Sequence, residues 1–165
     1  LEGIIQTQVN PQIGLDFSRL LRTFLRQDPD IIMLGEIRDE ESALMALRAA
    51  QTGHLVLSTL HTNDALSAIS RLQQLGIQSH EIENSLLLVI AQRLVRKRCL
   101  KCSQEFGDSC DCHQGYQGRI GVYQFLQCEN NCYQTDFDSL YQSALEKVKD
   151  QVTDLDEIQR VLGKK

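Results

Sequence analysis

Residues 25–63 read LRQDPDIIMLGEIRDEESALMALRAAQTGHLVLSTLHTN. Two short apolar runs stand out, Ile31-Ile32-Met33-Leu34 and Leu55-Val56-Leu57. Each ends in chemically able residues: Gly35-Glu36-Ile37-Arg38-Asp39 after the first, and Ser58-Thr59-Leu60-His61-Thr62-Asn63 after the second. Between them lies a helical pattern, with Asp39 placed to cap it, Glu40 and Glu41 near its positive end, Ala43, Leu44, Ala46, Leu47 and Ala50 facing inward, and Gly53 ending it. Apolar runs without alternation predict strands covered on both faces, and strand-helix-strand order over roughly thirty residues predicts a parallel βαβ unit. Ligands of such sheets sit at the carboxyl ends of the strands, where Glu36, Arg38, Thr59 and His61 gather.

A carboxylate at a strand end can polarise water or hold a metal-bound nucleotide. It can equally pair with Arg38 or cap the next helix, and the spacing of Glu36 leaves both readings open. His54 and His61 flank the second strand and fall on its opposite faces. An isolated histidine is commonly a hydrogen-bonded structural residue, but Thr59 and Thr62 add hydroxyls beside His61 where a phosphate would lie. Upstream, Phe17, Leu20, Leu21, Phe24 and Leu25 repeat at helical spacing behind a cap at Asp16, and the helix ends before Asp28-Pro29. Arg22 and Arg26, four apart on one face, are either solvated arginines or groups aimed at phosphate.

The chain has 165 residues, 42% of them hydrophobic and 24% charged, enough for one sizeable core with a small appendage. A formal charge of −5 argues against a protein whose main work is to coat nucleic acid. The longest apolar run, Leu86 to Ala91, is too short to cross a bilayer, and no secretory leader opens the chain, so it reads as soluble. Its start, Leu1-Glu2-Gly3-Ile4-Ile5, reads as the interior of something longer. No phosphate-loop motif is present. Further helices are expected from Asn63 or Asp64 to Gly76, from about His80 to Ala91, and between Phe137 and Leu162 with a cap at Asp154. Strands are expected over Gln92–Arg98 and Gly118–Leu126, which makes the class α/β. All six cysteines fall between Cys99 and Cys132. Cys99, Cys102, Cys110 and Cys112 have the spacing of a structural zinc site, with His113, Cys128 and Cys132 as substitute ligands. Free or partly oxidised thiols and a redox role are the other readings.

The run Phe17-x-x-x-Leu21-Arg22-x-x-Leu25-Arg26-Gln27-Asp28-Pro29-Asp30-Ile31-Ile32-Met33-Leu34-Gly35-Glu36-Ile37-Arg38-Asp39 closely resembles the Walker B region of the GspE/PilB-type secretion ATPases, which drive type II secretion and type IV pilus assembly. Thr52-Gly53-His54-Leu55-Val56-Leu57-Ser58-Thr59-Leu60-His61-Thr62-Asn63 resembles that family's His box. The likeness continues through Ala91-Gln92-Arg93-Leu94-Val95-Arg96, the cysteine element, Gly115-Tyr116-Gln117-Gly118-Arg119 and Val152-Thr153-Asp154-Leu155-Asp156-Glu157-Ile158.

The resemblance implies a partial RecA-like P-loop ATPase domain, with a parallel-type sheet flanked by helices. The implied division is 1–98 for this core, 99–126 for a cysteine-rich zinc-binding element with its following strand, and 127–165 for a C-terminal helical subdomain. It implies Glu36 as the catalytic glutamate, Arg22 and Arg26 as phosphate-approaching arginines, His61 with Thr59 as a phosphate sensor, and Arg38 and His54 as further nucleotide contacts. The implied cofactors are ATP, Mg2+ and structural Zn2+. The implied setting is a homo-hexamer at the cytoplasmic face of the bacterial inner membrane, held there through an inner-membrane platform protein, with no direct nucleic-acid contact. Since the likeness begins after the family's phosphate loop, the ATPase activity is expected of the full-length protein and not of this piece alone. The competing readings are a nucleic-acid translocase on the same fold, supported by Arg93, Arg96, Lys97 and Arg98, and a non-enzymatic zinc-stabilised interaction module.

Overall fold

The computed structural model describes residues 3–104, 110–129, 132–137 and 139–163. The chain divides into two compact units, Leu1–His61 with Ile69–Leu86, and Thr62–Ala68 with Leu87–Lys165.

In the first unit, Asp16 accepts the Arg19 backbone N–H at 2.7 Å and so starts α1, Phe17–Phe24. A 3-10 turn, Leu25–Gln27, follows, and Asp28 at φ +49° turns the chain towards β1, Ile31–Met33. Helix α2, Glu40–Gln51, carries the chain across to β2, Leu55–Leu57, which pairs with β1 in parallel. Its start is closed reciprocally: Asp39 accepts the Ser42 N–H at 2.8 Å while the Ser42 hydroxyl faces the Asp39 N–H, satisfying donors that the first helical turn leaves orphaned. Ser18 on α1 donates to Glu41 on α2. Helix α3, Leu66–Gln74, of which Ile69 onward belongs to this unit, ends at Gly76, whose φ of +92° suits glycine, and α4 spans Ser79–Ser85. Leu21, Ile32, Leu34, Ile37, Ala43, Ala46, Ala49, Leu72, Ile77 and Ile82 form the core. The alanines let the α2 backbone approach its neighbours closely.

Two expectations are corrected here. The strands are covered on one face, not both: Ile32 is buried, but Ile31, Met33, Leu55 and Leu57 are exposed, Met33 at 75%. The described helices of this unit pack against one side of a two-stranded sheet, so the outer side is apolar and bare. The helix expected from about His80 to Ala91 also stops at Ser85. Leu88–Ala91 instead pairs with Gln124–Gln127 as the start of a long strand, because a short apolar run rich in β-branched residues satisfies either period until a partner strand decides it.

The second unit is an antiparallel meander of β3, Leu88–Arg98, β4, Tyr116–Glu129, and β5, Cys132–Thr135, in that spatial order. A short helix α5, Leu100–Gln104, follows β3. Helices α6, Leu140–Lys149, and α7, Leu155–Leu162, cover one sheet face, with Ser139 and Asp154 as their caps. Ala91, Val95, Val122 and Leu126 are buried on that face, as are Leu140, Ala144 and Ile158 of the helices. The buried Gln124 accepts the Ala65 N–H at 3.1 Å and donates to the Phe137 carbonyl at 3.0 Å, so both ends of its amide are satisfied. The other face exposes Leu88, Ile90, Leu94, Tyr123 and Phe125. There Tyr123 lies over Gly121, where a Cβ would overlap the ring.

Candidate functional site

The parallel pair delivers its polar ends to one edge. Past β1 and β2 the backbone stays zipped: Leu34 N–H donates to the Leu57 carbonyl at 2.8 Å, and Ile37 N–H to the Thr59 carbonyl at 3.0 Å. The Thr59 hydroxyl donates to the Gly35 carbonyl at 2.7 Å, which fixes the two connections on either side of Glu36. One Glu36 carboxylate oxygen pairs with Arg38, and the other lies 2.8 Å from His61 Nε2. Arg38 and His61 are both largely exposed, while the Glu36 side chain is 28% exposed. The Arg38 guanidinium first, then the His61 ring, hold the Glu36 carboxyl down to about 2. Glu36 is thus a full negative charge at neutral pH, with each oxygen engaged. A carboxyl titration followed by NMR is expected to find it near 2, and Arg38→Ala to move it towards the 4.5 of an ordinary glutamate; a wild-type value already near 4.5 would remove the pairing from the site.

Thr59, His61, Glu36 and Arg38 therefore meet, and the other three residues do not join them. His54 sits at the amino end of β2, its Nδ1 2.9 Å from the Ala49 carbonyl and 3.2 Å from the Thr52 hydroxyl. That ring closes the carboxyl end of α2. Arg22 and Arg26 are exposed on α1 and the turn after it, where they line a shallow depression with Arg19, Thr23 and Gln27. No bond ties either arginine to Glu36.

The second cluster is sulfur. The Sγ atoms of Cys99, Cys102, Cys110 and Cys112 all lie within 4.8 Å of one another. Cys99 is 3.4 Å from Cys110 and Cys102 is 3.2 Å from Cys112. A disulfide needs about 2.05 Å, whereas four thiolates on zinc, each bonded at about 2.3 Å, stand roughly 3.8 Å apart. The donor set therefore fits a tetrahedral zinc. Cys99, buried at the end of β3, fixes its backbone by donating to the Gly115 carbonyl at 2.8 Å. The Cys102 N–H, aimed at its sulfur from the start of α5, is the main reason the Cys99 thiol falls to about 7. Cys112 beside it pushes the Cys102 thiol up to about 12. Cys110 and Cys112 precede a tight turn in which His113 and Tyr116 exchange backbone hydrogen bonds at 3.0 and 3.1 Å. Gln114 and Gly115 occupy its two left-handed positions, at φ +54° and +81°. His113, Cys128 and Cys132 lie outside the sulfur set, and part of the intervening loop, 105–109, lies outside the described residues.

A buried acid escaped the sequence reading. Glu157, in the first turn of α7, is 1% exposed. It accepts the Arg96 backbone N–H and Nε, both at 2.8 Å, and two bonds from Arg160 at 2.7 Å. The signal available was Arg160 three residues on, a spacing as well explained by an exposed helix pair. Beside it the Tyr116 hydroxyl donates to Asp154 at 2.8 Å, and the Arg96 guanidinium lies 4.1 Å from the centre of the Tyr116 ring.

A family described as "Type II/IV secretion system protein" matches residues 1–160. The chain is 78% identical over 164 residues to the "Protein transport protein HofB homolog" of Haemophilus influenzae, covering 99% of this chain and 35% of that protein. It is 42% identical over 205 residues to the "Type IV pilus assembly ATPase PilB" of Acinetobacter baylyi, covering 98% and 35% respectively. It also superposes on the crystal structure of the pilus retraction motor PilT bound to ADP, with a TM-score of 0.65 at 28% identity, over 88% of this chain and 43% of that one. The chain thus spans about a third of the length of these curated relatives. The mixed α/β fold with its parallel strand pair agrees with that likeness. The chain belongs to the type II/IV secretion system protein family.

Proposed function

We propose that this chain is the portion of a RecA-like secretion or pilus-assembly motor ATPase that supplies the water-orienting acid, the phosphate-sensing histidine and a structural zinc element. The single observation that carries this reading is the engagement of Glu36 by both His61 and Arg38 at the carboxyl edge of a parallel strand pair. In the full-length protein ATP would be held by a phosphate loop in the remaining sequence, and Mg2+ bound with it would supply charge neutralisation at the phosphates. Glu36 is fully ionised, so it acts by accepting a hydrogen bond from the attacking water and fixing its line of approach. For that, one of its oxygens has to exchange its present partner for water. His61, released from Glu36, is then free to donate to a phosphate oxygen, as is the Thr59 hydroxyl. Arg38 stays paired with the other oxygen and holds the carboxylate in place. Arg22 and Arg26, which make no bond to Glu36, act on a phosphate presented to their own helix face, whether in the same or a neighbouring subunit, and His54 contributes by holding the strand that carries Thr59.

The same reading assigns zinc to Cys99, Cys102, Cys110 and Cys112, where it closes a loop with little apolar area of its own. It retains the division into 1–98, 99–126 and 127–165, a homo-hexameric ring, and a platform protein at the cytoplasmic face of the inner membrane. The translocase alternative loses support from two of its four basic residues. Arg96 is committed to Glu157, and Arg93 donates to the carbonyls of Thr62 and Asn63 at 3.4 and 3.3 Å. Steady-state ATP turnover by the full-length protein carrying Glu36→Gln is the deciding test: loss with nucleotide binding kept supports the proposal, and near-normal turnover overturns it.

A further inference from the structure

We propose that the segment Val152–Glu157, at the amino end of α7, is the positioning shelf of the cysteine site, and that metal binding and the docking of α7 are thermodynamically linked. This rests on the zinc reading of the four cysteines.

Both stems of the cysteine loop are attached to this one segment. The β3–β4 register shifts between Arg96 and Arg98, immediately before Cys99. A bulge of this kind bends its strand and re-aims the side chains that follow. The backbone around the shift bonds to the shelf: Arg96 N–H to Glu157 at 2.8 Å, the Arg96 carbonyl to the Thr153 hydroxyl at 2.8 Å, and Arg98 N–H to the Val152 carbonyl at 2.8 Å. The returning stem is held by the Tyr116 hydroxyl on Asp154. Tyr116 in turn closes the turn with His113, next to Cys112, and its neighbour Gly115 receives the Cys99 N–H. Thr153 and Glu157 are each 1% exposed, so these bonds are shielded from competing water. The β3–β4 ladder and the Cys99–Gly115 bond already hold the two stems side by side, and 152–157 adds a common anchor that fixes both stems, and with them Cys99 and Cys112, against α7.

A shelf that lowers the free energy of the ligand-ready arrangement raises metal affinity, and by reciprocity bound metal holds the shelf down by the same factor. Groups that orient metal ligands without touching the metal commonly change affinity tenfold or more. The Tyr116 hydroxyl is one step further removed, and about fivefold is the expected effect of deleting it.

The test uses the purified 165-residue chain, Zn2+ alone with a competing chromogenic chelator, and hydrogen exchange of the Leu155–Leu162 amides with and without Zn2+. Tyr116→Phe keeps the ring against Arg96 and removes only the bond to Asp154. Thr153→Val, close in shape, removes the bond to the Arg96 carbonyl and serves if the first variant folds poorly. Zn2+ is expected to slow α7 exchange in the wild type, each variant to weaken Zn2+ binding about fivefold or more, and the zinc-dependent slowing to shrink by the same factor. A merely structural shelf would lower stability equally with and without metal and leave Zn2+ affinity unchanged; that result overturns the linkage while the zinc site stands. Failure of the wild type to bind Zn2+ at all overturns both.

Discussion

Glu36→Gln in the full-length protein is expected to lower ATP turnover by roughly 10²–10⁴-fold, the range over which a positioned acid-base group acts, while nucleotide affinity changes by no more than a few-fold. The substitution keeps the shape of the side chain and removes its charge. The wild-type carboxylate offers two acceptor oxygens and at present gives one to Arg38 and one to His61. The amide has one acceptor and presents a donor where the second oxygen was, so it can no longer both accept from a water and stay anchored by a cation. A defect confined to turnover identifies an interaction made in the transition state; equal losses in affinity and turnover would show that Glu36 holds the nucleotide itself. Mant-nucleotide binding alongside phosphate release separates the two. Turnover within a few-fold of wild type would end the assignment of Glu36 as the water-orienting group.

That edge was legible because its logic is topological. Parallel strands joined by one helix must present their carboxyl ends on the same side, so Glu36 and His61 had to converge although 25 residues apart. The same argument applied to His54 would have placed it at the opposite end of β2, where it caps α2 instead of meeting Glu36. The cysteine set was readable from spacing, since close pairs joined by a short loop return to one place. Glu157 was not readable, because its partner Arg96 is 61 residues away and nothing in either local pattern links them. The limit of β3 was hidden for a related reason. Leu88–Ala91 becomes strand only by pairing with Gln124–Gln127, a non-local choice. The bare outer face of the first sheet was masked by composition: Ile31, Met33, Leu55 and Leu57 are apolar and nonetheless exposed, so pattern alone predicted a cover that the described residues do not provide.

Glu157→Ala is expected to destabilise the second unit by about 3 kcal/mol, near the lower end of what breaking a buried ion pair costs. The lower end applies because the stranded partners are not sealed in: Arg96 is 27% exposed and Arg160 56%, while the Glu157 side chain is 0% exposed. For a unit of this size each kcal/mol moves the midpoint by about 4–8 °C, so thermal unfolding should fall by roughly 12–24 °C. The pH dependence gives an independent check. Arg160 first, then Arg96, hold the Glu157 carboxyl down to about 2 from an ordinary 4.5. A carboxyl depressed in the folded state binds fewer protons there than in the unfolded chain, so its stabilisation is complete above the unfolded value and is lost as pH falls through the folded one. The gap in melting temperature between wild type and variant should therefore be widest above pH 5 and close progressively towards pH 2. A gap that persists undiminished at pH 2 would assign the loss to packing and not to charge, and Glu157→Gln, which keeps the volume, would then melt like the wild type at every pH.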